Sequence, residues 1–379
     1  AASIDDGRGE AWAYQSLAWQ AFRLGRVEQA KHFVDKASAL FTALDDSGGL
    51  TWTRGVAAWV LFHNGRLAEA EALVREVLPE TSRRGDPWAE GILHVLDASI
   101  ELWSGRPARS LVGAQLALEA SARADDVNLA VQARAIQGRA HVSLAAIEEG
   151  MISLEQSFAL AEHQGDADSQ RLSAAANCAA AARIGDPAAV MQWASRFDSV
   201  HAKPDAVGEN EIVVSVALGL LQQGKVAEAR SELAWVGSQT SLPARGSSDS
   251  VSALIYVASG DFEAALERID LVLSTEATYL DVFRARAALA GMYFQQGRMT
   301  ESKSVIEHAI AEIGLTQDRI SGPLAGLLLG VCQFRPLAEA EQQVRSLGID
   351  PSGWVQAFRA ITHSELVGEQ SLDDGVTDR

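Results

Sequence analysis

The chain has 379 residues, 47% of them hydrophobic, and a formal charge of −18. That is ample apolar material for a large core, while the acidity disfavours direct contact with a phosphate backbone, so no nucleic-acid contact by this segment is expected. No apolar run reaches the 18 or so residues a membrane span needs; the longest uncharged stretch, Ser321 to Phe334, is too short.

The chain opens Ala-Ala-Ser, without an initiator Met and without a basic-then-apolar leader, and is expected to be a fragment of something longer. Two cysteines, Cys178 and Cys332, stand far apart and form no CxxC or Cys/His cluster, the usage of a reducing compartment with each thiol as an apolar filler. A cytoplasmic location is expected. Pro is sparse and Val, Ile and Thr form no long alternating run, which favours helix over strand.

From the N-terminus a six-residue turn recurs: Gly, polar, apolar, two mostly polar residues, small. It reads Gly25-Arg-Val-Glu-Gln-Ala30 first, then Gly65-Arg-Leu-Ala-Glu-Ala70, and continues from Gly105, Gly185, Gly224, Gly260 and Gly297. Ala145 to Gly150 and Arg335 to Ala340 fit it with the leading Gly lost. The intervals are 40 four times, then 39, 36, 37 and 38 residues. Such spacing defines an internal repeat of nine units.

Seven residues before each turn stands a small residue (Ala18, Ala58, Ala98, Gly138, Cys178, Ala217, Ala253, Ala290), with Leu328 as the exception, and three before stands an apolar one. This i, i+4 pairing marks one face of a first helix, where a small side chain lets a neighbouring helix approach. Apolar or small residues two, five and nine after the turn position mark the inner face of a second helix. Gly at the turn suits the left-handed residue that ends the first. Asp6, Asp46, Asp86, Asp126 and Asp166 recur every 40 residues between units and are expected to cap the next first helix or shape its connection.

The pattern resembles the tetratricopeptide repeat over roughly residues 8 to 348, although the period is nearer 40 than 34 and the Pro that closes the second helix is mostly missing. The resemblance implies an all-α, right-handed superhelical solenoid of about nine helical hairpins. A last helix, from about Ser352 to Val367, is expected to cap it. Residues 1–203 form the strictly periodic repeats 1–5, residues 204–367 form repeats 6–9 with the capping helix, and residues 368–379 read as a disordered acidic tail. The segment from Gly237 to Ser250, rich in Ser and interrupted by Pro243 and Gly246, reads as a flexible connection.

Signals of catalysis are weak. Gly219 to Lys225 has phosphate-loop spacing, but Val226 stands where a magnesium-binding hydroxyl is needed, and the segment ends a first helix. No two histidines stand at i, i+3 or i, i+4, so neither a metal site within one helix nor a cofactor is expected. The alternative is a catalytic site assembled from distant repeats, which periodicity does not address.

Trp12, Trp19 and Arg23 share one face of the first helix of repeat 1, and Trp52, Trp59 and His63 occupy the equivalent places in repeat 2. Trp103, Arg139 and Arg183 continue these columns in repeats 3, 4 and 5. In tetratricopeptide arrays the first helices line the concave groove, so the resemblance implies a recognition surface for a protein or peptide partner, or a small-molecule inducer. Trp19 and Trp59 either line that groove or pack between repeats, whereas Arg23, His63 and Arg183 are expected to be the more exposed. The turn style further resembles the helical-repeat sensor segments of large bacterial ATP-binding transcription regulators of the LuxR or maltose-regulator type. It implies a non-enzymatic sensor module; the alternative is a free-standing scaffold or peptide receptor. Oligomeric state is not encoded in these patterns.

Overall fold

A computed structural model of the chain describes residues 6–202, 206–234 and 242–363. Among the described residues there are nineteen helices and no strand. Five hairpins fill the first half: α1 (Gly7–Arg23) with α2 (Val27–Ala43), α3 (Ser47–His63) with α4 (Leu67–Arg84), α5 (Pro87–Trp103) with α6 (Pro107–Ala124), α7 (Val127–Ser143) with α8 (Ile147–Gln164), and α9 (Ala167–Ile184) with α10 (Pro187–Ser199). Four follow: α11 (Ala206–Gln222) with α12 (Val226–Ala234), α13 (Leu242–Ala258) with α14 (Phe262–Leu273), α15 (Tyr279–Gln295) with α16 (Met299–Ile313), and α17 (Ser321–Val331) with α18 (Leu337–Arg345). The chain's last described helix is α19 (Ser352–Thr362).

Local chemistry sets these boundaries. Each of the seven turn glycines is left-handed, with φ between +69° and +79°. Ala145 takes the same conformation at φ +62° despite its Cβ. All five periodic aspartates are N-caps: the carboxylates of Asp6, Asp46, Asp86, Asp126 and Asp166 accept backbone N–H groups in the first turns of α1, α3, α5, α7 and α9. The residue before the cap is left-handed too, Asp45, Gly85, Asp125 or Gly165, so two residues turn the chain between hairpins.

The ninth turn is two residues longer than the rest. Its left-handed residue is Gln333 (φ +61°), so Gly326 takes the small position seven before it and Leu328 ceases to be an exception. The 237–250 segment also differs from expectation, because α13 already starts at Leu242; residues 235–241 lie outside the described residues. Asp281 of α15 accepts from the Ser250 hydroxyl of this helix at 2.9 Å. The acidic tail, 368–379, and part of the expected boundary near 204 lie outside the described residues.

Each first helix packs on the first helix of the next repeat, and each second helix on its own first helix and the following one. The first helices therefore form one layer and the second helices another. The small residue of the first helix sets their separation. A Cβ on Gly138 would stand 2.7 Å from the carbonyl oxygen of Gly150 in α8. One continuous apolar core runs from α7 to α19. No helix among the described residues is long and apolar enough to cross a membrane.

Candidate functional site: the inner wall

The layer of first helices curls inward. Arg139 of α7 reaches Glu211 of α11, two repeats on, and α3 touches α13 across the superhelix. Side chains from non-adjacent repeats can meet only on the inner face, so the first helices are the wall that encloses the interior. α19, expected as an end cap, packs on α11, α13, α15 and α17, four first helices, and so lies along this wall.

The aromatic column is a seam between repeats. His63 packs edge-on against Phe22 of the preceding repeat at 4.6 Å, and Trp103 stacks on Phe62 at 4.5 Å. Trp59 meets Trp19 edge-on at 6.3 Å and lies parallel to His63. Each side chain two before the turn thus reaches back to the residue three before the turn of the repeat above. The rule persists where the chemistry is polar: Gln222 donates to the Ala182 carbonyl at 2.7 Å and Gln295 to the Val257 carbonyl at 3.1 Å.

Trp59 and His63 are consequently buried, and Trp19, Trp52 and Trp103 half-buried. His63 is not among the exposed members: its imidazole is 6% exposed, and burial pushes its pKa down to about 3, so it is neutral. The Arg23 side chain lies outside the described residues. Trp12 is exposed, one edge against Phe41. Trp52 stacks at 5.1 Å on Trp88, which the sequence columns missed because Trp88 sits one turn nearer its helix start. The Trp88 indole N–H donates to Asp126 at 2.7 Å.

Arg139 and Arg183 instead reach across the interior. Arg139 grips Glu211 through two parallel bonds of 2.7 and 2.6 Å. Arg183 keeps only 11% of its side-chain surface exposed, which corrects the expectation of exposure: it pairs at 2.6 Å with Asp318, whose side chain is fully buried before α17. Tyr279, whose phenol burial holds above its ordinary pKa, lies 3.5 Å from the same guanidinium. Asp281 and Arg284, 3.5 Å apart, extend the cluster, and burial raises the Asp281 carboxyl. The sequence signal was the presence of cations in the aromatic columns, but their partners lie 72 and 135 residues away, beyond the reach of any periodicity.

Elsewhere, burial pushes both thiols up to about 12, which leaves Cys178 and Cys332 unreactive fillers. An open cleft of about 520 Å³ lies off the inner wall, between α8, α10 and the start of α9, lined by Phe158, Glu162, Arg196 and His201 among others.

The class these features define is an α-solenoid of tetratricopeptide-like hairpins closed around an inner wall. No family model and no curated protein matches the sequence. Among solved structures the chain is similar to a Rap protein complexed with competence and sporulation factor, at 12% identity and TM-score 0.55 over 81% of this chain and 98% of that one. It is likewise similar to NprR in complex with its cognate peptide NprX, at 10% identity and TM-score 0.54 over 92% and 99% of the two chains. At such identities the likeness establishes the shared helical-repeat fold.

Proposed function

We propose that the chain is a non-enzymatic peptide receptor that binds an extended partner along its inner wall. The observation that carries this is the division of the wall into an aromatic stretch (Trp19, Trp103) and a polar centre at Arg139–Glu211, where both charges keep about a quarter of their side-chain surface exposed, 23% and 27%. Aromatic anchors beside an accessible bidentate pair suit a ligand that offers both apolar side chains and backbone or charged groups. A wall continuous over several repeats matches a linear ligand. The solved NprR structure, which holds a peptide, supports the same reading by fold analogy. The likeness to two solved complexes, one of them with a cognate peptide, supports a peptide receptor over a sensor segment of a LuxR-type regulator.

The test is a thermal-shift screen of an arrayed library of short synthetic peptides beside a set of common metabolites. Stabilisation by a subset of peptides is expected. The double variant Arg139→Ala/Glu211→Ala, which removes the pair without leaving an unmatched charge, should weaken the best peptide at least about tenfold with an unchanged circular-dichroism spectrum. Stabilisation by metabolites alone would instead assign the wall to a small inducer.

A further inference from the structure

Residues 314–320, which join α16 to α17, cross the superhelix and touch three successive repeats. The Gln317 N–H donates to the Gly105 carbonyl and the Arg319 N–H to the Ser143 carbonyl, each at 2.8 Å. The Gln317 side-chain oxygen accepts from the Ala108 N–H at 3.1 Å. Asp318, between them, takes Arg183. Gly105, Ser143 and Arg183 each lie at or near the end of a first helix, so this short segment reads the rims of repeats 3, 4 and 5 in order. The Oδ1 that takes Arg183 also accepts the Ile320 N–H at 3.4 Å, and Oδ2 accepts the Ser321 N–H at 2.9 Å, at the start of α17. One carboxylate therefore ties the rim of repeat 5 to the first helix of repeat 9.

We propose that 314–320 is a strap that holds the superhelix closed and that the Arg183–Asp318 pair is its latch, so that breaking the pair frees the strap and opens the inner wall. The contrast between joints carries this. Repeats stack through buried apolar clusters, and Ile320 anchors the strap's far end in one of them, whereas the crossing itself, Gln317 to Arg319, holds through a few hydrogen bonds and one ion pair, and Leu315 is 89% exposed. Desolvation offsets most of what a buried ion pair contributes, so such a contact specifies a state more than it stabilises it. The latch is also incompletely satisfied: the Arg183 Nε–H is buried without an acceptor among the described residues. The charged and phenolic groups facing the pair are Tyr279 and Arg284 of α15 and, beyond Arg284, Asp281. The start of α19 meets the same point, with the Trp354 indole N–H donating to the Arg183 carbonyl at 2.9 Å. Release at Arg183 would therefore be felt by α19.

The experiment needs no ligand, so it stands apart from the peptide reading. Hydrogen–deuterium exchange would be followed in the full chain and in Arg183→Met/Asp318→Asn, where Asn keeps an acceptor for the start of α17. Exchange at the Gln317 and Arg319 amides should rise about tenfold or more, with the amides of α6 and α8 unchanged. The milder Arg183→Lys, which keeps the charge and loses the fork, should give a smaller rise at the same two amides. Unchanged exchange at 317 and 319 in either variant overturns the latch. A uniform rise along the chain overturns it as well, since the pair would then be a general stability element.

Discussion

His63 shows what the inner wall does to a single side chain. Held between Phe22 and Trp59 with a pKa near 3, it stays neutral in the fold, whereas in the unfolded chain it protonates below about pH 6.5. Below that pH the unfolded state binds the additional proton, so stability falls as pH falls. The cost is absent above pH 6.5, grows by roughly 1.4 kcal/mol per unit and saturates near the folded value. Replacing it with Phe keeps an aromatic ring in the seam and removes the proton. Denaturant titrations at pH 7 and pH 5 should show the natural chain losing about 2 kcal/mol more than His63→Phe between the two. Equal losses would mean that His63 titrates in the fold as it does in the unfolded chain and is not held neutral by burial. Sequence columns placed this residue on the correct helix face but misjudged its exposure. The face is a matter of spacing, while burial depends on how closely the next repeat stacks.

At the scale of the element, the left-handed turn is the unit of design. Seven turns supply Gly; Ala145 pays for its Cβ in a conformation that costs an L-residue about 1–2 kcal/mol. Ala145→Gly should therefore stabilise the fourth hairpin by about 1 kcal/mol in denaturant unfolding, the reverse of the usual effect of introducing Gly. A loss of stability would mean that the turn does not hold the left-handed conformation. Turns, caps and small residues were legible in the sequence because each is decided within a few residues: a φ that Gly accepts, a carboxylate three residues from an N–H, a helix spacing that Ala permits. The ninth turn was misplaced by two residues because its left-handed position is Gln333, which carries no such mark.

Across the whole molecule, the solenoid was legible and its closure was not. A period near 40 announces stacked hairpins, but the strap at 314–320, the pairing of Arg139 with Glu211 and the passage of α19 along four first helices all join residues that no repeat brings into register. They arise from the curvature of the stack, which sums small rotations between neighbours. That curvature turns a column of seam residues into the lining of an enclosed wall, and the wall is where a partner is expected. The most direct measurement is hydrogen–deuterium exchange of the full chain with and without the strongest-binding peptide of the array. Protection should concentrate in the first helices α3, α5, α7, α9 and α11 and change at 314–320, with the second helices α4, α6, α8 and α10 unaffected. Protection confined to those second helices would contradict an inner-wall receptor.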